Sequence, residues 1–113
     1  MSNKESVLYG LMRVIVDRKA NPPPKSYTTE LLAGGNKRLA AKLTEETAEI
    51  VAELSEFNPT RTQALVHESC DLIYHLWVAL AANNVSLNDV ESELERRFGK
   101  SGLDEKASRG QTK

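Results

Sequence analysis

Between Ala64 and Ala82 the chain reads ALVHESCDLIYHLWVALAA. Leu65, Val66, Leu72, Ile73, Leu76, Trp77, Val78 and Leu80 cover most of the circumference of a helix there. A helix that is apolar nearly all round must be buried. A chain of 113 residues has room for only one modest core. A single small bundle can hardly enclose such a helix. Homodimerisation through it is the natural way to cover the remainder. Any fold proposed for this chain must also place Glu68 and Asp71, which lie within the same apolar segment.

The other helical segments are plainer. Val7, Leu8, Leu11, Val14 and Ile15 recur at helical spacing, with a capping box at Ser2-Asn3-Lys4-Glu5. That helix stops near Ala20, because Pro22, Pro23 and Pro24 cannot continue it. A short unit, KSYTTELLAGG, ends at Gly34 and Gly35. A second long segment runs from about Asn36 to Phe57 and breaks at Asn58-Pro59-Thr60. There Asn58 is the expected cap and Pro59 the first helical residue of the next segment. That apolar segment stops at Asn83-Asn84. A last helix starts at Ser86-Leu87-Asn88-Asp89, carries Leu87, Val90, Leu94 and Phe98 on one stripe, and closes at Gly99. No strand-like alternation occurs. The expected fold is all-α, an antiparallel bundle of about four main helices completed by homodimerisation. Residues 1–100 read as one domain and residues 101–113 as a polar tail.

Composition removes several function classes. Formal net charge is −1, without the basic excess of a nucleic-acid binder. No apolar run approaches the roughly 20 residues that span a bilayer. The opening MSNKESVLYG lacks the apolar stretch of a signal peptide. The lone Cys70 has no internal disulfide partner and reads as a small buried hydrophobe. The expectation is a cytoplasmic protein with neither nucleic acid nor membrane as partner.

The second and third long segments carry the chemistry. On a helical wheel Leu39, Leu43, Ile50 and Leu54 form an apolar stripe, and Glu46 falls inside it. Glu49 and Glu53 lie at its edge, with Glu45 one turn before Glu49. On the apolar helix Glu68, Asp71 and His75 share a face. Burying an ionised carboxylate costs several kcal/mol unless it is paired or bound to metal. Nearby cations are too few to pair them all. A short turn between antiparallel helices puts Glu49 and Glu68 at similar heights, so that Glu45, Glu46, Glu49, Glu68 and Asp71 converge.

His67-Glu68 starts like the zinc motif H-E-x-x-H, but Asp71 stands where its second histidine belongs. Di-iron bundles use Glu-x-x-His pairs, and here both pairs lack the histidine. An all-carboxylate set suits Mg²⁺, with Mn²⁺ as the alternative. Such sites leave open positions for water and substrate phosphates. No phosphate-binding P-loop is present, since GGNKR at Gly34–Arg38 lacks its ending.

The two acidic groups, EETAE at Glu45–Glu49 and ESCD at Glu68–Asp71, resemble those of MazG-like all-α nucleotide pyrophosphohydrolases. SYTTELL, DLIYHLWVAL and RRFGKSGLDEKASR narrow the resemblance to the phosphoribosyl-ATP pyrophosphohydrolase family, over almost the whole chain. The resemblance implies a dimeric, cytoplasmic, magnesium-dependent enzyme of histidine biosynthesis. Its substrate would be a nucleotide, phosphoribosyl-ATP, cleaved to phosphoribosyl-AMP and pyrophosphate. It implies Glu46, Glu49, Glu68 and Asp71 as metal ligands.

Glu45 is then the candidate for orienting or deprotonating the attacking water. Lys37 and Lys42 are candidates for the phosphates, and Ser101, Lys106 and Arg109 for closing over the phosphoribosyl groups. His75 reads as a hydrogen-bonded core histidine or as a support for Asp71, and His67 as exposed and idle. Two rivals remain: a house-cleaning pyrophosphohydrolase acting on deoxynucleoside triphosphates, and a non-catalytic helical dimerisation module.

Overall fold

A computed structural model describes residues 5–55 and 59–98. Five α-helices follow one another: α1 (Val7–Ala20), α2 (Tyr27–Ala33), α3 (Gly35–Ser55), α4 (Arg61–Ala82) and α5 (Leu87–Phe98). No strand occurs among the described residues. The fifth helix, beyond the four main ones expected, is the seven-residue α2, formed by the short unit before Gly34.

Local chemistry explains most boundaries. Ser6 caps α1, its side chain accepting from the Leu8 N–H at 3.1 Å. The expected capping box falls largely on Ser2, Asn3 and Lys4, outside the described residues. Ser26 caps α2 by accepting from the Thr29 N–H at 3.2 Å. Gly35 has φ of +75°, which lets α3 leave in a new direction directly after α2. Helix α4 begins at Arg61 after Thr60, so Pro59 sits in the turn and not in the first helical position. Asn58, Phe57 and Gly99 lie outside the described residues.

The end of α4 is a Schellman arrangement. Asn84 adopts the left-handed region at φ 61°. The Val85 N–H reaches the Leu80 carbonyl at 2.9 Å, and the Asn84 N–H reaches that of Ala81 at 3.1 Å. Lys19 of α1 donates to the Ala81 carbonyl (2.8 Å) and to the Asn84 side chain (2.7 Å). That places a cation at the negative end of the α4 dipole.

Helices α3 and α4 make the most extensive interhelical contact among the described residues. They run antiparallel. Asn36 at the start of α3 and Asn83 just past the end of α4 exchange side-chain amide hydrogen bonds at 3.1 and 3.0 Å. Nearer the middle, Glu46 meets Glu68 and Asp71. Met12 and Ile15 of α1, Leu31 of α2, Leu39 of α3, Val78 and Ala81 of α4, and Leu87 of α5 form the core. The Trp77 indole donates to the Leu8 carbonyl at 2.8 Å and pins α4 to the first turn of α1.

One chain does not cover α4. Only His75, Val78 and Ala81 are buried along it, while Val66 is 60% exposed and Leu76 39%. Cys70 is exposed too, which corrects its reading as a buried hydrophobe. It lies on the outer face of α4, in a shallow groove with Leu65, Val66 and Ile73. Its helical position points it away from the core, whatever its chemical preference.

Leu31 is fully buried and joins the short α2 to the rest of the core. The substitution Leu31→Ala should lower the unfolding free energy by about 2–5 kcal/mol, read from chemical denaturation.

Candidate active site

Among the described residues the buried polar side chains are Thr28, Glu46 and His75. They come from α2, α3 and α4 and meet in one cluster. Glu46 is there because its helical position lies within the α3 stripe that faces the core, alongside Leu39. Helix α4 brings Glu68 and Asp71, one turn apart, onto the facing side. One carboxylate oxygen from each of Glu46, Glu68 and Asp71 lies within 4.8 Å of the others. Oε1 of Glu46 and Oε1 of Glu68 are both buried and accept no hydrogen bond. Buried acceptors without donors are rare, because each forfeits its hydration.

The electrostatics follow from that crowding. Burial, and then Glu49 and Asp71 beside it, push the Glu46 carboxyl above the usual carboxylate range. Glu68 is pushed up as well, first by the neighbouring Glu49 and then by burial. Glu49, one turn along α3 from Glu46, is exposed yet stands close to both. It is not one of the three whose oxygens converge most tightly.

The donor set is all oxygen, compact and negative, and two of its three residues carry a buried oxygen without a hydrogen-bond partner. That set fits a hard divalent cation, which would satisfy the orphaned oxygens and cancel the repulsion.

Cations stand on the rim. Lys42 pairs with Glu45 at 2.9 Å. The pair holds the Glu45 carboxyl below its ordinary value and the Lys42 ammonium above. His67, expected to be idle, is exposed but lies 3.3 Å from the Asp71 carboxylate.

A second layer lies behind the acids. The Nδ1 of His75 is 2.8 Å from the Asp71 backbone carbonyl and 3.8 Å from Oε2 of Glu46. Its Nε2 is 3.2 Å from the Tyr27 hydroxyl. Tyr74 packs edge-on against His75 and stacks with Tyr27, and its hydroxyl meets Thr28.

A family model for phosphoribosyl-ATP pyrophosphohydrolase matches residues 8–98. The chain belongs to that family. Its curated relatives include phosphoribosyl-ATP pyrophosphatases of Paracoccus denitrificans (strain Pd 1222) and Cereibacter sphaeroides (strain ATCC 17025 / ATH 2.4.3). The first is 44% identical over 102 residues, covering 90% of this chain and 92% of the relative. The second is 44% identical over 105 residues, covering 93% and 99%. A third, from Trichlorobacter lovleyi (strain ATCC BAA-1151 / DSM 17278 / SZ), is 41% identical over 109 residues, covering 96% and 98%.

Set in a phosphoribosyl-ATP pyrophosphohydrolase fold, the residues singled out from the sequence fall into three groups. Glu46, Glu68 and Asp71 converge, with Glu49 beside them. Glu45 and Lys42 form a rim pair, and Lys37 is exposed near the start of α3. Ser101, Lys106 and Arg109 lie outside the described residues. Tyr27 was overlooked. Its short helix shows no long-range periodicity, and only the packing of α2 on α4 carries it to His75.

The raised carboxyls give a signed prediction for the metal-free protein. Stability contributed by the protonated forms of Glu46 and Glu68 is present below the ordinary carboxylate range. It is lost as pH rises through their raised folded-state values. In chelator, melting temperature should therefore fall as pH rises above the ordinary carboxylate range, and Glu46→Gln should flatten that fall and melt higher at the upper end.

Proposed function

We propose that this chain hydrolyses phosphoribosyl-ATP to phosphoribosyl-AMP and pyrophosphate, the second step of histidine biosynthesis. The observation that carries the reading is the convergence of Glu46, Glu68 and Asp71 on a point with two orphaned carboxylate oxygens. The relatives, phosphoribosyl-ATP pyrophosphatases, suggest the substrate and the reaction.

Glu46, Glu49, Glu68 and Asp71 would hold Mg²⁺. Its chemistry is to neutralise phosphate charge, including the charge growing on the leaving pyrophosphate, and to acidify a water. The protein's own groups do the rest. Glu46, buried, and Glu68, half-buried, each keep one oxygen out of reach of solvent and crowd against the neighbouring acids. Lys42 sits on the rim, where an incoming phosphate competes with Glu45 for its ammonium. Once Lys42 turns to the phosphate, Glu45 loses the partner that depresses its basicity. It is then better able to orient or accept a proton from the attacking water. Lys37 adds positive charge at the start of α3. Ser101, Lys106 and Arg109 remain the proposed contacts to the phosphoribosyl groups.

The active form is proposed to be a cytoplasmic homodimer. Val51 and Leu54 on α3 are 52% and 61% exposed, and Val66 and Leu76 on α4 are uncovered as well. Large apolar residues left exposed on both long helices suit an interaction surface. No helix among the described residues is long and apolar enough to cross a membrane.

Pyrophosphate release from phosphoribosyl-ATP should require Mg²⁺ and fall about 100-fold or more in Asp71→Asn, since metal stabilisation of the transition state is worth several kcal/mol. Faster turnover of a deoxynucleoside triphosphate than of phosphoribosyl-ATP would replace this reading with that of a nucleotide house-cleaning enzyme. Separately, light scattering should give the mass of two chains, and Val66→Asp the mass of one.

A further inference from the structure

His75 is only 5% exposed, and its ring lies edge-on to those of Tyr27 and Tyr74. Its surroundings define its proton. A backbone carbonyl can only accept, so Nδ1, 2.8 Å from the Asp71 carbonyl, carries the hydrogen. In the neutral ring Nε2 is then bare and accepts from the Tyr27 hydroxyl at 3.2 Å. Tyr74 packs against the ring edge-on at 5.2 Å and holds its plane. Two side chains and one backbone carbonyl, from two helices, thus specify one tautomer and one orientation of one imidazole.

That orientation faces the acids. Nδ1 lies 3.8 Å from Oε2 of Glu46, too far for a hydrogen bond but near enough for its N–H dipole to attract the carboxylate. The other oxygen of Glu46 accepts no hydrogen bond at all. The imidazole thus stands beside Glu46 on one hand, and Glu68 and Asp71 each bring an oxygen within 4.8 Å of it on the other. The same N–H binds the backbone of Asp71, so a single group registers two acids that come from different helices.

We propose that His75, held in its Nδ1–H tautomer by Tyr27, is a positioning residue that keeps Glu46 and Asp71 in register for a divalent cation. The proposal rests on the reading of the carboxylates as the metal site. Groups that orient metal-bound carboxylates in this way typically change metal affinity about 10- to 100-fold when removed.

The test uses Mn²⁺ as probe on the full-length chain, with free ion measured by electron paramagnetic resonance. His75→Phe keeps a ring without the donor. His75→Asn puts an amide N–H near the place of Nδ1, and Tyr27→Phe removes only the hydroxyl. Glu68→Gln serves as the control for the site itself. The expected result is a Mn²⁺ dissociation constant raised about 10- to 100-fold in His75→Phe, and restored to within about threefold of wild type in His75→Asn. In pyrophosphate release the Mg²⁺ activation constant should rise in His75→Phe while turnover at saturating Mg²⁺ stays near wild type. A histidine that merely packs would shift melting temperature and leave both metal constants unmoved.

If wild type binds no Mn²⁺, or Glu68→Gln binds it normally, the carboxylate reading fails and this proposal falls with it. If those controls behave but His75→Phe binds like wild type, or His75→Asn binds as weakly as His75→Phe, the role of His75 alone is overturned. Should His75→Phe fail to fold, normal binding by His75→Asn with weakened binding by Tyr27→Phe supports the proposal. Weakened His75→Asn or unaltered Tyr27→Phe overturns it.

Discussion

The antiparallel contact of α3 with α4 is the constraint on which the rest depends. The amide pair of Asn36 and Asn83 marks its register at one end. That register decides which carboxylates face each other. A shift by one residue would rotate Glu46 off the core-facing stripe and break its meeting with Glu68 and Asp71. The other helices act as supports. Helix α1 backs α4 through Trp77 and Lys19, and α2 closes the inner side with Leu31, Thr28 and Tyr27. Like charges crowded together oppose folding, so the packing around them has to outweigh a repulsion that protonation or a bound cation would relieve.

The same side chain behaves oppositely in two places. Glu93 on α5 is clasped by Arg96 and Arg97, which hold its carboxyl down at about 2. That arrangement is a solvated surface network with its charges matched. Glu46 and Glu68 are pushed the other way, and the groups beside them are mostly further acids. Titratable groups shifted against their own ionisation and crowded together are where chemistry tends to reside. The contrast separates the acids proposed to hold a cation from those of the solvated surface more sharply than their positions in the sequence do.

How much was legible beforehand differs from residue to residue. The stops at Pro22–Pro24, Gly34–Gly35 and Asn83-Asn84 were readable because φ restrictions and turn chemistry act locally. The burial of Glu46 was readable too, since it follows from its place among Leu39, Leu43 and Ile50 on one stripe. Cys70 was misread because apolar character says only that a residue can be buried. Which face of α4 one chain covers depends on how many helices pack round it. Tyr27 was not recognised, for its meaning lies 48 residues away at His75.

By itself, then, the sequence determined that the chain is helical, that two of its helices carry acids on apolar faces, and that the set they make has no zinc spacing. These are consequences of periodicity, capping and side-chain chemistry, all of which operate within a few turns. The tertiary structure alone decided that three oxygens meet within 4.8 Å, that Lys42 is engaged with Glu45, and that His75 turns one nitrogen to Asp71 and the other to Tyr27. Those facts depend on the crossing and register of separate helices, which the packing of all of them settles together.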